Sequence, residues 1–178
     1  MKFSYVLIVL TATFSLTANA FTQAYFSPKG GCEENVIQMI KESNSTLDIA
    51  MYSLNNESIL KMIEEANKRG VKIRILLDRV QASVNRSETL KLKKDGQNIK
   101  IHSHNKIQHN KFAIADKKKI VTGSFNWTNP AENKNEENCI FTDEEKVVKS
   151  YDERFEQVLW IVNSQDKSDL YPFVLVGI

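Results

Sequence analysis

Short apolar runs alternate along this chain with amphipathic stretches, and that succession confines it to folds in which strands and helices follow one another. The expected class is α/β. Tyr25-Phe26 precede a Ser27-Pro28-Lys29-Gly30-Gly31 turn, after which Val36, Met39 and Ile40 recur at helical spacing. Residues 47–52 read as a strand, and Ile59, Leu60, Met62, Ile63 and Ala66 mark a second helix that Gly70 can end in a left-handed conformation. Residues 71–77 are the next strand, 87–94 a helix closing near Asp95-Gly96, and 99–101 a short strand leading into a polar loop over 102–108. Strands at 111–115 and 119–122 form a hairpin through Asp116-Lys117-Lys118, and 139–141 adds another strand. Thr142 and Glu145 have capping-box spacing ahead of a long helix with Val148, Tyr151, Phe155, Val158 and Leu159 on its inward stripe and Trp160 near its end.

Composition fits one globular domain. Of 178 residues 42% are hydrophobic and 26% charged, while Gly 6 and Pro 3 exclude collagen-like or linker-rich chains. Nothing repeats at a fixed period, which excludes solenoids and propellers. Lys+Arg 24 against Asp+Glu 22 gives a net charge of +2, so charge alone announces neither a nucleic-acid nor a membrane partner. Lys91, Lys93 and Lys94 read as a solvated face; Lys117, Lys118 and Lys119, close in sequence to the motif below, are expected to face an anionic substrate.

Lys2, the apolar stretch that follows and Ala18-Asn19-Ala20 have the order of a secretory signal peptide over residues 1–20. Cleavage after Ala20 leaves a domain over 21–178 in a secreted or periplasmic location. The apolar tail 170–178 is too short to cross a bilayer. Cys32 and Cys139, the only cysteines, are compatible with one disulfide or with two separate buried thiols, and their spacing makes a structural zinc site a poor fit.

The chemistry concentrates after residue 101. Residues two apart on a strand share a face, so His109 and Lys111 present an imidazole and an ammonium side by side, a pair suited to a phosphate. Beyond the turn, Gly123-Ser124-Phe125-Asn126 supplies a hydroxyl and a carboxamide as further donors. Asp116 lies between and can hold the hairpin or a basic partner. His102 and His104 have no evident third ligand and read as part of a polar loop. Trp127 either stacks on a base or caps the core.

His109, Lys111, Asp116, Gly123, Ser124 and Asn126 stand at the spacing HxK(x)4D(x)6GSxN, which resembles the HKD signature of the phospholipase D superfamily at every defined position. The Ser-Pro-x-Gly turn, the strand at 47–53, Arg69-Gly70-Val71-Lys72-Ile73 and the Asn-x-Glu-Asn run at 135–138 resemble the small single-motif members, so the likeness covers about residues 21–160. It implies a phospholipase D-like sandwich, a mixed, mostly parallel sheet flanked by helices, with one HKD motif per chain. It also implies a homodimer whose two motifs complete one active site. In that scheme His109 is the nucleophile, with the second chain's His109 as general acid. Lys111, Asn126 and Ser124 hold the phosphate, and Glu137, or Glu136 beside it, orients the histidine. Asp116 belongs to the catalytic set as an orienting residue. Neither a metal nor another cofactor is required.

The motif names a phosphodiester without naming what is esterified. A low-specificity endonuclease acting on DNA or RNA is the first expectation, supported by Lys106, Lys117 to Lys119 and Lys134 near the motif in sequence. The alternative is a phospholipase D-type headgroup hydrolase acting on a phospholipid such as cardiolipin, with the apolar tail as its lipid contact. A third reading, an inert nucleic-acid or lipid binding module, fits poorly with an intact catalytic set.

Overall fold

The computed structural model describes residues 20–94, 98–102 and 106–170, with backbone alone at 87 and 165–170. Residues 1–19 of the expected signal peptide, the expected Asp95-Gly96 turn, His104 and the tail from residue 171 lie outside the described residues.

Seven strands form one sheet: β1 (Thr22–Ser27), β2 (Thr46–Met51), β3 (Lys72–Asp78), β4 (Asn98–His102), β5 (Lys111–Ala115), β6 (Lys119–Gly123) and β7 (Glu137–Thr142), in the order β1-β7-β6-β5-β2-β3-β4. The helices are α1 (Cys32–Glu42), α2 (Glu57–Lys68), α3 (Arg79–Val84), α4 (Arg86–Lys94), α5 (Asn129–Asn133) and α6 (Glu145–Leu170). The α/β class and the mixed sheet are as expected; the preponderance of parallel pairing is not. Pairs β1–β7, β7–β6, β6–β5 and β5–β2 are antiparallel, whereas β2–β3 and β3–β4 are parallel. The reason lies in the connections. Parallel neighbours need a crossover, supplied by α2 and by α3 with α4, while the tight turn after Ala115 can only return the chain antiparallel.

Strand alternation divides the core into two layers. Leu47, Ile49 and Met51 of β2 and Ile73, Ile75 and Leu77 of β3 face α1 and α2, where Val36, Met39, Ile40, Ile59, Ile63 and Ala66 are buried. Ala50, Leu76, Phe112, Ile114 and Ile120 face the other way, against Val148, Phe155, Val158 and Val162 of α6. Asp48, a polar residue inside an apolar run, lies on this second face and takes both arms of Arg74, at 2.6 and 2.7 Å, while Arg74 Nη2 also reaches Glu156 at 2.7 Å. This pairing latches α6 to the sheet and satisfies a buried carboxylate.

Local signals mostly hold. Gly70 ends the second helix with φ 89°, and Asn56 caps α2 by accepting from Ile59 N at 3.0 Å. The capping box does not form: Thr142 stays in β7, where its hydroxyl accepts from Glu144 N and donates to Phe21 O. Sequence reading missed α3, capped by Asp78 through Val80 N at 2.9 Å and Gln81 N at 3.2 Å. Trp160 is 70% exposed on a helix that continues to Leu170, and His102 closes β4 as a buried residue instead of opening a loop. Cys32 and Cys139 form a disulfide that ties the start of α1 to β7.

Candidate active site

Register determines which residues meet. Met51 stands opposite Lys111 and Leu77, Phe112 opposite Thr122, Gly123 opposite Cys139, and Ser27 opposite Glu137. His109, Lys111, Ser124, Asn126 and Glu137 therefore gather at one end of the sheet, where the parallel strands β2, β3 and β4 terminate. Such an end is where open α/β sheets bind ligands.

Lys111 is buried at the first position of β5, and its Nζ donates to the His109 carbonyl at 2.8 Å. The same Nζ lies 4.9 Å from the centre of the Tyr52 ring, and the His109 ring packs on that tyrosine at 4.6 Å, tilted 59°. Tyr52 thus contacts both the imidazole and the ammonium. Burial pushes the Lys111 ammonium below the usual lysine value, and the Glu137 carboxylate opposes that shift. The His109 ring is exposed and has no hydrogen-bond partner among the described residues; Glu137 Oε1 accepts from Asn135 Nδ2 at 3.1 Å.

The Ser124–Asn126 segment is clamped at both ends. Ser124 N and Phe125 N donate to Asn138 O, while Ser124 Oγ accepts from Asn138 N at 3.1 Å. Gly123 makes that approach possible, since a Cβ there would collide with the Asn138 carbonyl oxygen. Beyond it, Trp127 O accepts from Asn55 N and Asn56 N, and Trp127 is 1% exposed, so it caps the core and does not stack on a ligand. Between these clamps Asn126 Oδ1 is buried without a partner among the described residues, leaving hydrogen-bonding capacity unspent.

Asp116 is the correction to the expected site. It follows the last residue of β5, so a whole strand separates it from His109, about 17 Å at the usual rise for five residues. Its carboxylate accepts from Asn44 N, Ser45 N, Ser45 Oγ and Thr46 N. Burial alone would raise its pKa, but these donors outweigh that and hold it below the usual carboxylate value. Lys117, Lys118 and Lys119 share this remote end: Lys117 pairs with Asp152 at 3.2 Å, and Lys119 lies 3.9 Å from Glu42. They therefore do not face the site. Asp116→Ala should cost on the order of 2 kcal/mol of stability and leave turnover of the folded protein within a few-fold of wild type. Because the folded pKa is depressed, this stabilisation is present above the unfolded carboxylate pKa of ~4 and is lost as pH falls through the folded value. Urea unfolding at pH 7 and below pH 4 should show the gap between wild type and variant closing in acid.

Sequence reasoning also missed Tyr52, Asp78 and Gln108. Gln108 N donates to Asp78 Oδ2 at 3.1 Å, which fixes the approach of the His109 segment to the end of β3. The available signal was a polar or aromatic residue closing an apolar run, as Tyr52 and Asp78 both do.

Residues 36–160 match the family described as cardiolipin synthase, PLD-like domain. The phospholipase D of Rickettsia prowazekii (strain Madrid E) is 36% identical over 126 residues, 71% of this chain and 62% of that protein. The human mitochondrial cardiolipin hydrolase is 27% identical over 137 residues, 77% of this chain and 54% of its own. The chain thus spans less than two thirds of the length of these curated relatives. Among solved structures, Nuc from Salmonella typhimurium, a phospholipase D family member, superposes with a TM-score of 0.76 at 28% identity, covering 81% of this chain and 96% of Nuc.

Proposed function

The chain belongs to the phospholipase D superfamily, and on that premise we propose that it is a phosphodiester hydrolase working through a phosphohistidine, with nucleic acid as its substrate. The observation that carries the reading is the convergence of His109 and Lys111 with Ser124 and Asn126 at one sheet end, Lys111 Nζ lying 2.8 Å from the His109 carbonyl. An imidazole attacks phosphorus, and the bond to the leaving oxygen breaks as a second imidazole donates a proton to it. Water then attacks the phosphohistidine, gives its proton to the second imidazole, and releases the first. Lys111 and Asn126, supported by Ser124, meet the charge on the non-bridging oxygens.

One chain supplies one such histidine, so the second is His109 of the partner subunit. A homodimer with both motifs at its two-fold axis satisfies this need. The face of β1 and β7 left uncovered by α6 supports it: Phe26, 62% exposed, stands opposite Asn138 beside the catalytic end. Glu137, two strands from Lys111 in the sheet and with its carboxylate acting on the Lys111 ammonium, is suited to orient an imidazole across that axis. A secretory leader over residues 1–20 would place the enzyme outside the cytoplasm or in the periplasm. The buried disulfide between Cys32 and Cys139 supports an oxidising compartment.

Cations Lys106, Lys134 and Arg154 favour nucleic acid. A phospholipid headgroup is the second reading, favoured by the exposed Val80, Val84 and Ile107, at 56%, 71% and 67%, on α3 and on the segment before His109. Assays in EDTA on single- and double-stranded nucleic acid and on cardiolipin vesicles test the choice. Nucleic-acid cleavage that survives EDTA and disappears in His109→Ala is the expected result. Headgroup release without nucleic-acid cleavage overturns it in favour of the lipid.

A further inference from the structure

We propose that the cleft beside His109, between the 106–110 segment and α6, is a second anion subsite that takes the phosphate next to the scissile one along a nucleic-acid strand. The proposal rests on the phosphodiesterase reading and deepens it. Gln108 and Asn110, the two sequence neighbours of His109, both line this cleft of about 370 Å³. Lys106 and Arg154 are its charged walls, and no carboxylate among the described residues lines it.

Neither cation has an ion-pair partner among the described residues, although α6 carries several acids close to Arg154. Asp152 is engaged by Lys117, Glu156 by Arg74 and Glu153 by Lys149. Arg154 thus has no carboxylate partner among the described residues, and a guanidinium is the group best matched to phosphate oxygens.

Gln108 adds a donor. Its Oε1 accepts from Asn110 N at 2.8 Å and from Asn110 Nδ2 at 2.7 Å, which settles the orientation of the amide. The opposite atom, Nε2, is then a buried donor with no partner among the described residues, in a side chain only 3% exposed. An orphaned donor in a side chain that lines a cationic cleft is a cost that an entering anionic oxygen offsets. Ile107 and Val158 give the cleft an apolar side against which a sugar or base can lie. A polynucleotide always carries a further phosphate beside the one being cleaved, and this cleft is where the fold leaves room for it.

The test compares the full chain with Lys106→Ala/Arg154→Ala and with Gln108→Glu, which keeps the acceptor for Asn110 and replaces the free donor. Substrates are a single-stranded thymidine hexanucleotide, bis(p-nitrophenyl) phosphate, which has no second phosphate, and cardiolipin vesicles. For the hexanucleotide, KM should rise about tenfold in each variant with kcat nearly unchanged. The salt dependence of hexanucleotide binding should become shallower by about 0.7 in slope, as for one lost phosphate contact on a single strand. Hydrolysis of bis(p-nitrophenyl) phosphate should not change. Equal losses on both small substrates, or an unchanged KM for the hexanucleotide, overturn the subsite; a KM shift confined to cardiolipin overturns its assignment to nucleic acid. Hexanucleotide binding to His109→Ala, read by fluorescence anisotropy with and without the cleft substitutions, separates the two proposals. Cleft-dependent binding supports the subsite even where turnover is absent and the phosphodiesterase reading fails, and cleft-independent binding overturns the subsite.

Discussion

Alanine at position 109 should lower phosphodiester turnover by a factor on the order of 10³ or more, because in a homodimer the one substitution removes both the nucleophile and the general acid. The loss should be confined to chemistry. The imidazole is exposed, its ring has no hydrogen-bond partner among the described residues, and its main contact is the face of Tyr52. Melting temperature should therefore stay close to wild type, and substrate binding should survive through Lys111, Ser124 and Asn126. Initial rates with matched thermal melts check both halves of this expectation. A variant within tenfold of wild type would remove His109 from the reaction.

Loss of the disulfide should be the largest single blow to stability. The bridge joins residues 107 apart in sequence, and closing a loop of about 100 residues removes up to about 4.7 kcal/mol of unfolded-state entropy; 2–5 kcal/mol is the usual measured cost of losing a native bridge. Cys32 and Cys139 also belong to the main core cluster, so Cys32→Ala/Cys139→Ala trims packing there too. The melting temperature should fall by roughly 5–15 °C, given about 2–4 °C per kcal/mol for a domain of this size. Calorimetry of the double variant beside the oxidised wild type gives the number. β7 carries both Glu137 and the Asn138 that holds Ser124, so activity should be lost on warming before wild type loses it. Equal melting of the two proteins would mean that the bridge adds nothing.

Most of the candidate site was legible because its signal is local. His109 and Lys111 lie two apart, and Ser124 and Asn126 follow one hairpin later, so short-range spacing alone places them on neighbouring strand ends. The same spacing misled at Asp116. A hairpin brings the residues beyond its two strands together and carries its turn away, so a residue at the turn cannot share a site with residues at the open end. Tyr52, Asp78 and Gln108 were invisible for a different reason. Tyr52 meets His109, and Asp78 meets Gln108, only because β2 pairs with β5 and β3 with β2, and strand order is a non-local property that no window of sequence contains. The antiparallel majority was missed on the same ground. Apolar runs alternating with helices suggest crossovers, yet β1 crosses to the far edge and pairs with β7, whose residues lie more than a hundred positions away.

The most direct test of the central claim is rapid quenching of the EDTA-treated protein with a labelled oligonucleotide, followed by peptide mass spectrometry. A two-step displacement predicts a transient phosphoramidate adduct on His109, stable to alkali and labile to acid, that forms and decays at rates compatible with turnover. Cleavage without an adduct, with inversion at a chiral phosphorothioate, would mean that water attacks directly and would contradict the phosphohistidine mechanism.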